Sequence, residues 1–248
     1  MRFYRTLRTS TLIVLSLALL SPIISGEGLS SCKIEGIPRI KQLRNYCGPA
    51  TMSSIFCFLG DNITQEEIGK EIYDPVGGAT HGADMLYYAK NKGYSAYSFN
   101  SSIADAKRKL ESGTPLLVLQ QNSDRDHSGH FRVLTGYDDA AAKFYVTDPY
   151  YDDITELTYA QCEKLWKPMG YWAMMIVPAD KDNFKTDLGA KNPVFHMDLS
   201  YALYKHGQYT EALKEINAAL SLEPSNRYAL SMLSKINGAI GAGKKSKP

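Results

Sequence analysis

The sequence is poor in most of what would assign a protein class outright. Its one extended apolar run, TLIVLSLALLSPII at positions 11–24, has fourteen residues, short of the roughly twenty that a permanent membrane span needs. Charge of one sign is missing too: three of the 28 basic and one of the 26 acidic residues fall in 1–31, which leaves 25 of each beyond it. A neutral chain of this kind lacks the concentrated basic face that nucleic acid requires. Histidines number five and cysteines four. His127 and His130 stand near Asp124 and Asp126, but no second ligand cluster of recognised spacing accompanies them, so no metal is expected. VGGATHG at 76–82 lacks the Lys-Ser/Thr ending of a phosphate loop and reads as turns. No cofactor is expected.

What is present begins with an export signal: Arg2, Arg5 and Arg8 without an acid, then the apolar run, then small residues at Ser25 and Gly26. Residues 1–31 are read as this signal, which sends the protein to the periplasm or cell envelope. Leu29-Ser30-Ser31-Cys32 resembles a lipobox, in which Cys32 would become the acylated N-terminus and tether the protein to a membrane. Glu27 and two glycines separate it from the apolar run, and a plain signal peptide cut near Ser25 is the alternative. Export permits disulfides. Cys57 and Cys162 read first as packing and second as a disulfide pair. Cys47 and Cys57 lie ten residues apart on one helix, about 15 Å, and cannot bridge.

The 248 residues, 44% hydrophobic, suffice for one full core with chain left over. From Cys47 to Leu59 apolar residues cover more than one helical face, as in a buried helix, and Gly60 closes it. Thr64 and Glu67 have capping-box spacing for a second helix to about Tyr73. An apolar-periodic segment follows over about 83–92, and Ser101 or Ser102 caps a helix that stops at Gly113. The runs 116–120, 130–137, 143–147 and 171–177 are rich in Val, Leu, Tyr and Phe and read as antiparallel strands. Helices first and strands afterwards predict an α+β domain over 36–178. Residues 179–192 are polar and read as a linker. Beyond them Leu203, Gly207, Tyr209, Ala212, Ile216, Ala219 and Pro224 fall at the spacing of one tetratricopeptide unit over about 193–226. Ser200 stands where a small Gly is usual, and a helix from Arg227 to about Asn237 would cap the unit. The helical module is assigned 193–240 and the Lys-rich end, 241–248, to a flexible tail. Such repeats need about three units to stand alone, so a solitary one must lean on the preceding domain or on a protein partner.

Cys47, in QLRNYCGPA, opens the first helix. There the peptide dipoles and unpaired amides favour thiolate, the attacking species. Gly48 leaves room beside the sulfur, and Pro49 costs nothing where an amide would be unpaired. A buried structural thiol is the plainer alternative for Cys47. A nucleophile needs a base. His196 and His206 belong to the appended helices and His81 to a Gly loop, where a helix-entry residue is the plainer reading and a cleft-lining one the alternative; His127 reads as a loop residue lining the cleft. His130 opens a strand, HFRVLTGY, that returns as KFYVTD. If Tyr137 faces Lys143, Arg132 faces Asp148 and His130 lies one diagonal step from that carboxylate, within ionic reach. A slip of one residue would send them to opposite faces. Cys47, His130 and Asp148 then fit nucleophile, base and orienting carboxylate, with Gln42 and the Cys47 amide as oxyanion donors.

QLRNYCGPA, HFRVLTGYDD and FYVTDP together resemble the bacteriocin-processing, double-glycine leader peptidases, a papain-like superfamily of cysteine peptidases. The resemblance covers about 36–178. It implies a papain-like α+β fold and peptide-bond hydrolysis through a thioester, with the family's roles falling on Gln42, Cys47, His130 and Asp148. Leader peptidases face the cytoplasm as parts of transporters, whereas this chain carries an export signal, so an envelope-side peptide or protein substrate is expected. The same residues would serve a transferase that passes the acyl group to an amine. A non-catalytic peptide-binding scaffold is the third reading.

Overall fold

The structure is a computed structural model describing residues 29–245. Residues 1–28, most of the segment expected to be an export signal, and residues 246–248 lie outside the described residues. The chain runs β1 (Ser31–Lys33), α1 (Cys47–Phe58), α2 (Gln65–Ile72), β2 (Tyr73–Asp74), β3 (Ala79–Thr80), α3 (Gly82–Asn91), β4 (Tyr94–Asn100) and α4 (Ile103–Glu111). It continues through β5 (Leu116–Gln121), β6 (Gly129–Asp138), β7 (Lys143–Thr147), β8 (Glu156–Thr158), α5 (Tyr159–Trp166) and β9 (Trp172–Pro178). Three helices follow, α6 (Pro193–Lys205), α7 (Tyr209–Leu222) and α8 (Arg227–Lys245). This is the expected α+β architecture. The box at α2 is reciprocal: the Glu67 N–H donates to Thr64 Oγ1 and the Thr64 N–H to the Glu67 carboxylate. Thr158 and Gln161 build the same box at α5.

Seven strands form one antiparallel sheet in the order β4-β9-β5-β6-β7-β8, with β1 also paired to β6. Helices cover both faces, and this explains why β9 is apolar at nearly every position. Met174 and Ile176 face one core with Met52, Ile55 and Phe56 of α1, while Ala173, Met175 and Val177 face the other with Leu110 of α4 and Trp166 of α5. Buried against the first face, α1 has no polar side, as its sequence required.

The β6–β7 hairpin departs from the expected register near its turn. Lys143 pairs with Asp138 and Phe144 with Tyr137, one residue off from the Tyr137–Lys143 pairing predicted by the sequence. A bulge between Leu134 and Gly136 then shifts the ladder, so that Leu134 pairs with Val146 and Val133 with Thr147, the alignment that puts Arg132 opposite Asp148. The extra residue is what lets Leu134 and Tyr137 both enter the α4–α5 core. Gly136 sits in this bulge beneath β1, where a Cβ would lie 2.3 Å from the Cys32 carbonyl oxygen.

Residues 179–192 join the two halves without being a loose tether. Phe184 and Leu188 pack against both cores, Tyr97 donates to Asp182 at 2.6 Å, and buried Asn192 caps α6 while donating to the Ser98 carbonyl at 2.7 Å. The helical module leans on the domain, as a solitary repeat must. Phe195, Leu199 and Leu203 of α6 belong to the α1–α3 core, Trp172 donates to Asp198 at 2.9 Å, and Lys205 meets Asp84 at 2.6 Å. Ser200, in the small-residue position, is buried and donates to the Ala212 carbonyl at 2.8 Å, which holds α6 against α7. Helix α8 continues to Lys245, past Asn237 and into the span expected to be a tail.

Candidate active site

Cys47 is the first residue of α1, and Tyr46 before it supplies no side-chain cap, which leaves the Cys47 N–H without an intrahelical partner. Asn45 adopts φ +61°, a left-handed turn that Asn tolerates, and this aims the chain into the helix. Gly48 has a packing reason as well: a Cβ there would lie 3.0 Å from Thr80 Cβ and 3.2 Å from Met85 Sδ. It seats the helix start on β3 and α3.

His130 is the second residue of β6 and its Nε2 lies 3.0 Å from Asp148 Oδ1, so its other nitrogen, Nδ1, is the one that meets the Cys47 sulfur. Burial pushes the Cys47 thiol up, but the hydrogen bond and charge of His130, with the Phe131 and Gly48 N–H groups, outweigh it and hold the thiol below its ordinary value. Burial pushes His130 down, and the bonds to Asp148 and Cys47 carry it above its ordinary value. Each shift favours the thiolate–imidazolium pair.

Asp148 is fully buried. Its Oδ1 also accepts the Tyr150 and Tyr151 N–H groups at 2.8 and 3.0 Å, and its Oδ2 accepts Arg132 Nε at 2.7 Å. Burial raises its pKa, but the His130 bond and charge and then the Arg132 charge bring it down to about 2. Gln42 is fixed by its N–H on the Pro149 carbonyl at 2.9 Å, and its side-chain Oε1 is buried without a partner among the described residues. Gln42, Cys47 and His130 all line one open cleft of about 590 Å³, walled by the Gly77–Gly82 loop and by Leu119, Phe131 and Tyr150. His81 lines it as well, while His127 stands outside on its loop with Nε2 3.3 Å from the Asp124 carbonyl.

The other cysteines lie apart. All four are free. Cys162 is sealed in the α4–α5 core, and burial pushes its pKa up to about 12; Cys57 faces Asn62. Cys32 lies in β1 with its sulfur donating to the Leu110 carbonyl at 3.3 Å. Sequence reasoning gave no role to Arg132, although the register argument paired it with Asp148. It missed the Thr80 hydroxyl, which is buried in the cleft wall without a partner among the described residues, because a β3 of two residues carries no periodic signal.

A cysteine at a helix N-terminus, facing a histidine and carboxylate on an antiparallel sheet, is the architecture of the papain-like cysteine peptidases. More narrowly, residues 34–174 match the Peptidase_C39 like family, over half of the chain, and the chain belongs to that family. Residues 198–242 match the Fis1 C-terminal tetratricopeptide repeat. No curated protein sequence matches the chain. Among solved structures it is similar to a double glycine motif protease from an AMS/PCAT transporter, in complex with the leader peptide, at 17% identity and TM-score 0.48, covering 60% of this chain and 95% of that one. The peptidase domain of Streptococcus ComA, a bi-functional ABC transporter involved in a quorum sensing pathway, gives 17% identity and TM-score 0.49 over 58% and 99%. That of Streptococcus mutans ComA gives 16% and 0.36 over 56% and 98%.

Proposed function

We propose that the protein hydrolyses peptide bonds with Cys47 as nucleophile, His130 as base and acid, Asp148 as orienting carboxylate, and Gln42 with the Cys47 N–H as oxyanion donors. The observation that carries this is the line from the helix-terminal Cys47 sulfur through His130 to Asp148 Oδ1, 3.0 Å from Nε2, opening on a cleft. His130 Nδ1 takes the thiol proton and the sulfur attacks the carbonyl carbon. The oxyanion meets the Cys47 amide and the Gln42 side chain, whose amide reverses by a half turn about its last torsion. Collapse expels the amine, which leaves with the proton from His130. Water, giving a proton to the same nitrogen, then attacks the thioester and frees the acid and the thiol. Cleavage of a peptide library by wild type and by Cys47→Ala tests the reading. Product from wild type alone supports it, and equal product from both, or from neither, sinks it.

The substrate is proposed to be an envelope-side peptide or protein, because the N-terminal segment reads as an export signal. Of the two signal readings, cleavage near Ser25 suits the strand β1 better than acylation at Cys32. A diacylglycerol on a sulfur packed beneath α4 would have to displace the strand. Mass spectrometry of the mature N-terminus decides, with an acylated Cys32 overturning this preference. The helical module, matching a tetratricopeptide repeat, is proposed to meet a protein partner.

A further inference from the structure

The triad does not end at Asp148. Arg132, two residues from His130 on β6, is 1% exposed, and its guanidinium is almost fully engaged. Nε donates to Asp148 Oδ2 at 2.7 Å, Nη1 to Gln120 Oε1 at 3.3 Å and to the Gln121 carbonyl at 3.1 Å, and Nη2 to the Asn122 carbonyl at 2.7 Å. Gln120 is fully buried too and donates its Nε2 to Cys162 Sγ at 3.1 Å, so the acceptor that holds Arg132 is itself held from α5. A buried arginine is tolerated where its fork is satisfied in this way.

We propose that Arg132 is a positioning residue, the permanent counterion of Asp148 that keeps this carboxylate ionised and fixed while His130 gains and loses its proton. The proposal rests on the peptidase reading above. Each acylation takes His130 from protonated, in the ion pair, to neutral as the amine leaves, and at that point the buried Asp148 carboxylate would keep no cation bonded to it, since Arg39 Nε reaches only the Asp148 backbone carbonyl, at 2.6 Å. Arg132 supplies one throughout. Its positive charge opposes protonation of His130, and this limits how tightly Asp148 can hold the proton that the leaving amine must receive. The other groups facing His130 are Cys47 from α1 and, from the segment after β7, Asp148 and the Tyr151 ring, edge-on at 6.3 Å. Facing from β5, Gln120 is neutral. Arg132 is the one fixed cation in that set.

The test compares wild type, Arg132→Met and Arg132→Lys, reading kcat, KM and the pH dependence both of peptide cleavage and of Cys47 alkylation by iodoacetamide. Arg132→Met should raise by roughly one pH unit both the alkaline limb of cleavage and the upper inflection of alkylation, where the ion-paired thiolate becomes a free one, and should lower kcat with KM little changed. Arg132→Lys should keep the limb in place and recover part of kcat. A limb unmoved in Arg132→Met, with the lysine variant no better, overturns the proposal. If Arg132→Met does not fold, the lysine variant decides alone: an unmoved limb with kcat lowered about tenfold is expected, and wild-type kcat or a displaced limb refutes it. Alkylation reads the sulfur–imidazole pair whether or not a peptide is cut, so failure of the peptidase reading, detected with Cys47→Ala, stays separate.

Discussion

Replacing Asp148 with Asn changes one atom and tests the whole site. The carboxylate accepts three donors on Oδ1, from His130 and the Tyr150 and Tyr151 amides, and one on Oδ2, from Arg132. Asn keeps a single acceptor oxygen. Turned to serve Oδ1, its NH2 group meets the Arg132 N–H head-on and leaves a buried guanidinium without its anion. Turned the other way, it meets three donors. Removing one partner of a buried ion pair costs about 3–5 kcal/mol, and at about 2–4 °C per kcal/mol for a protein of this size the Tm should fall by about 10 °C. Activity should fall further, on the order of 10³-fold, because the imidazolium loses the charge that stabilises it. Calorimetry and kcat/KM on a cleaved library peptide measure the two effects. Asp148→Asn with Arg132→Met should regain stability without regaining activity, since no lone buried charge remains. An Asp148→Asn enzyme within about 1 kcal/mol of wild type in stability and threefold in rate would refute the reasoning.

Cleavage should follow a bell-shaped pH profile. It rises as pH passes the lowered Cys47 value and falls as pH passes the raised His130 value, the two limbs belonging to the coupled pair; a profile rising steadily to high pH contradicts it. Acid should destabilise the fold through Asp148. Its carboxyl, held down to about 2 against an ordinary 3.8, gives on the order of 2 kcal/mol that is present above the ordinary value and lost as pH falls through about 2; urea titrations at stepped pH read this slope. Gly136→Ala should push β1 off the bulge, because its Cβ would sit 2.3 Å from the Cys32 carbonyl. Exchange should quicken at the Ile34 amide, which bonds Thr135 at 2.7 Å, while cleavage activity stays.

Much of the site was legible because its parts are local. Cys47 opens a helix that its own apolar pattern defines, and His130 and Asp148 belong to one hairpin. The register argument reached the right alignment at the His130–Asp148 end from a wrong starting pair at the turn, since the bulge after Leu134 absorbed the one-residue error. No sequence signal marks that bulge apart from Gly136, whose need arises from β1, a hundred residues away in the chain. Strand β4, YSAYSFN, escaped notice because its Ser and Tyr hide burial on both faces, which comes only from α3, α6 and β9 packing around it. Helix α5 did carry a local sign, Thr158 with Gln161 three residues on, the spacing that α2 displays and that was read there. Arg132 was visible as a neighbour of Asp148, but its burial depends on Gln120 and on α5, which only the tertiary structure brings beneath it.

The wedge of Phe195, Leu199 and Leu203 under α3 has a consequence for how this molecule comes apart. Catalytic half and repeat share one apolar interior, so heating should yield a single cooperative melt rather than two. A chain truncated at Pro178 would bare that wall and tend to clump. The tail helices are thus a load-sharing part of the enzyme body, not a detachable adaptor.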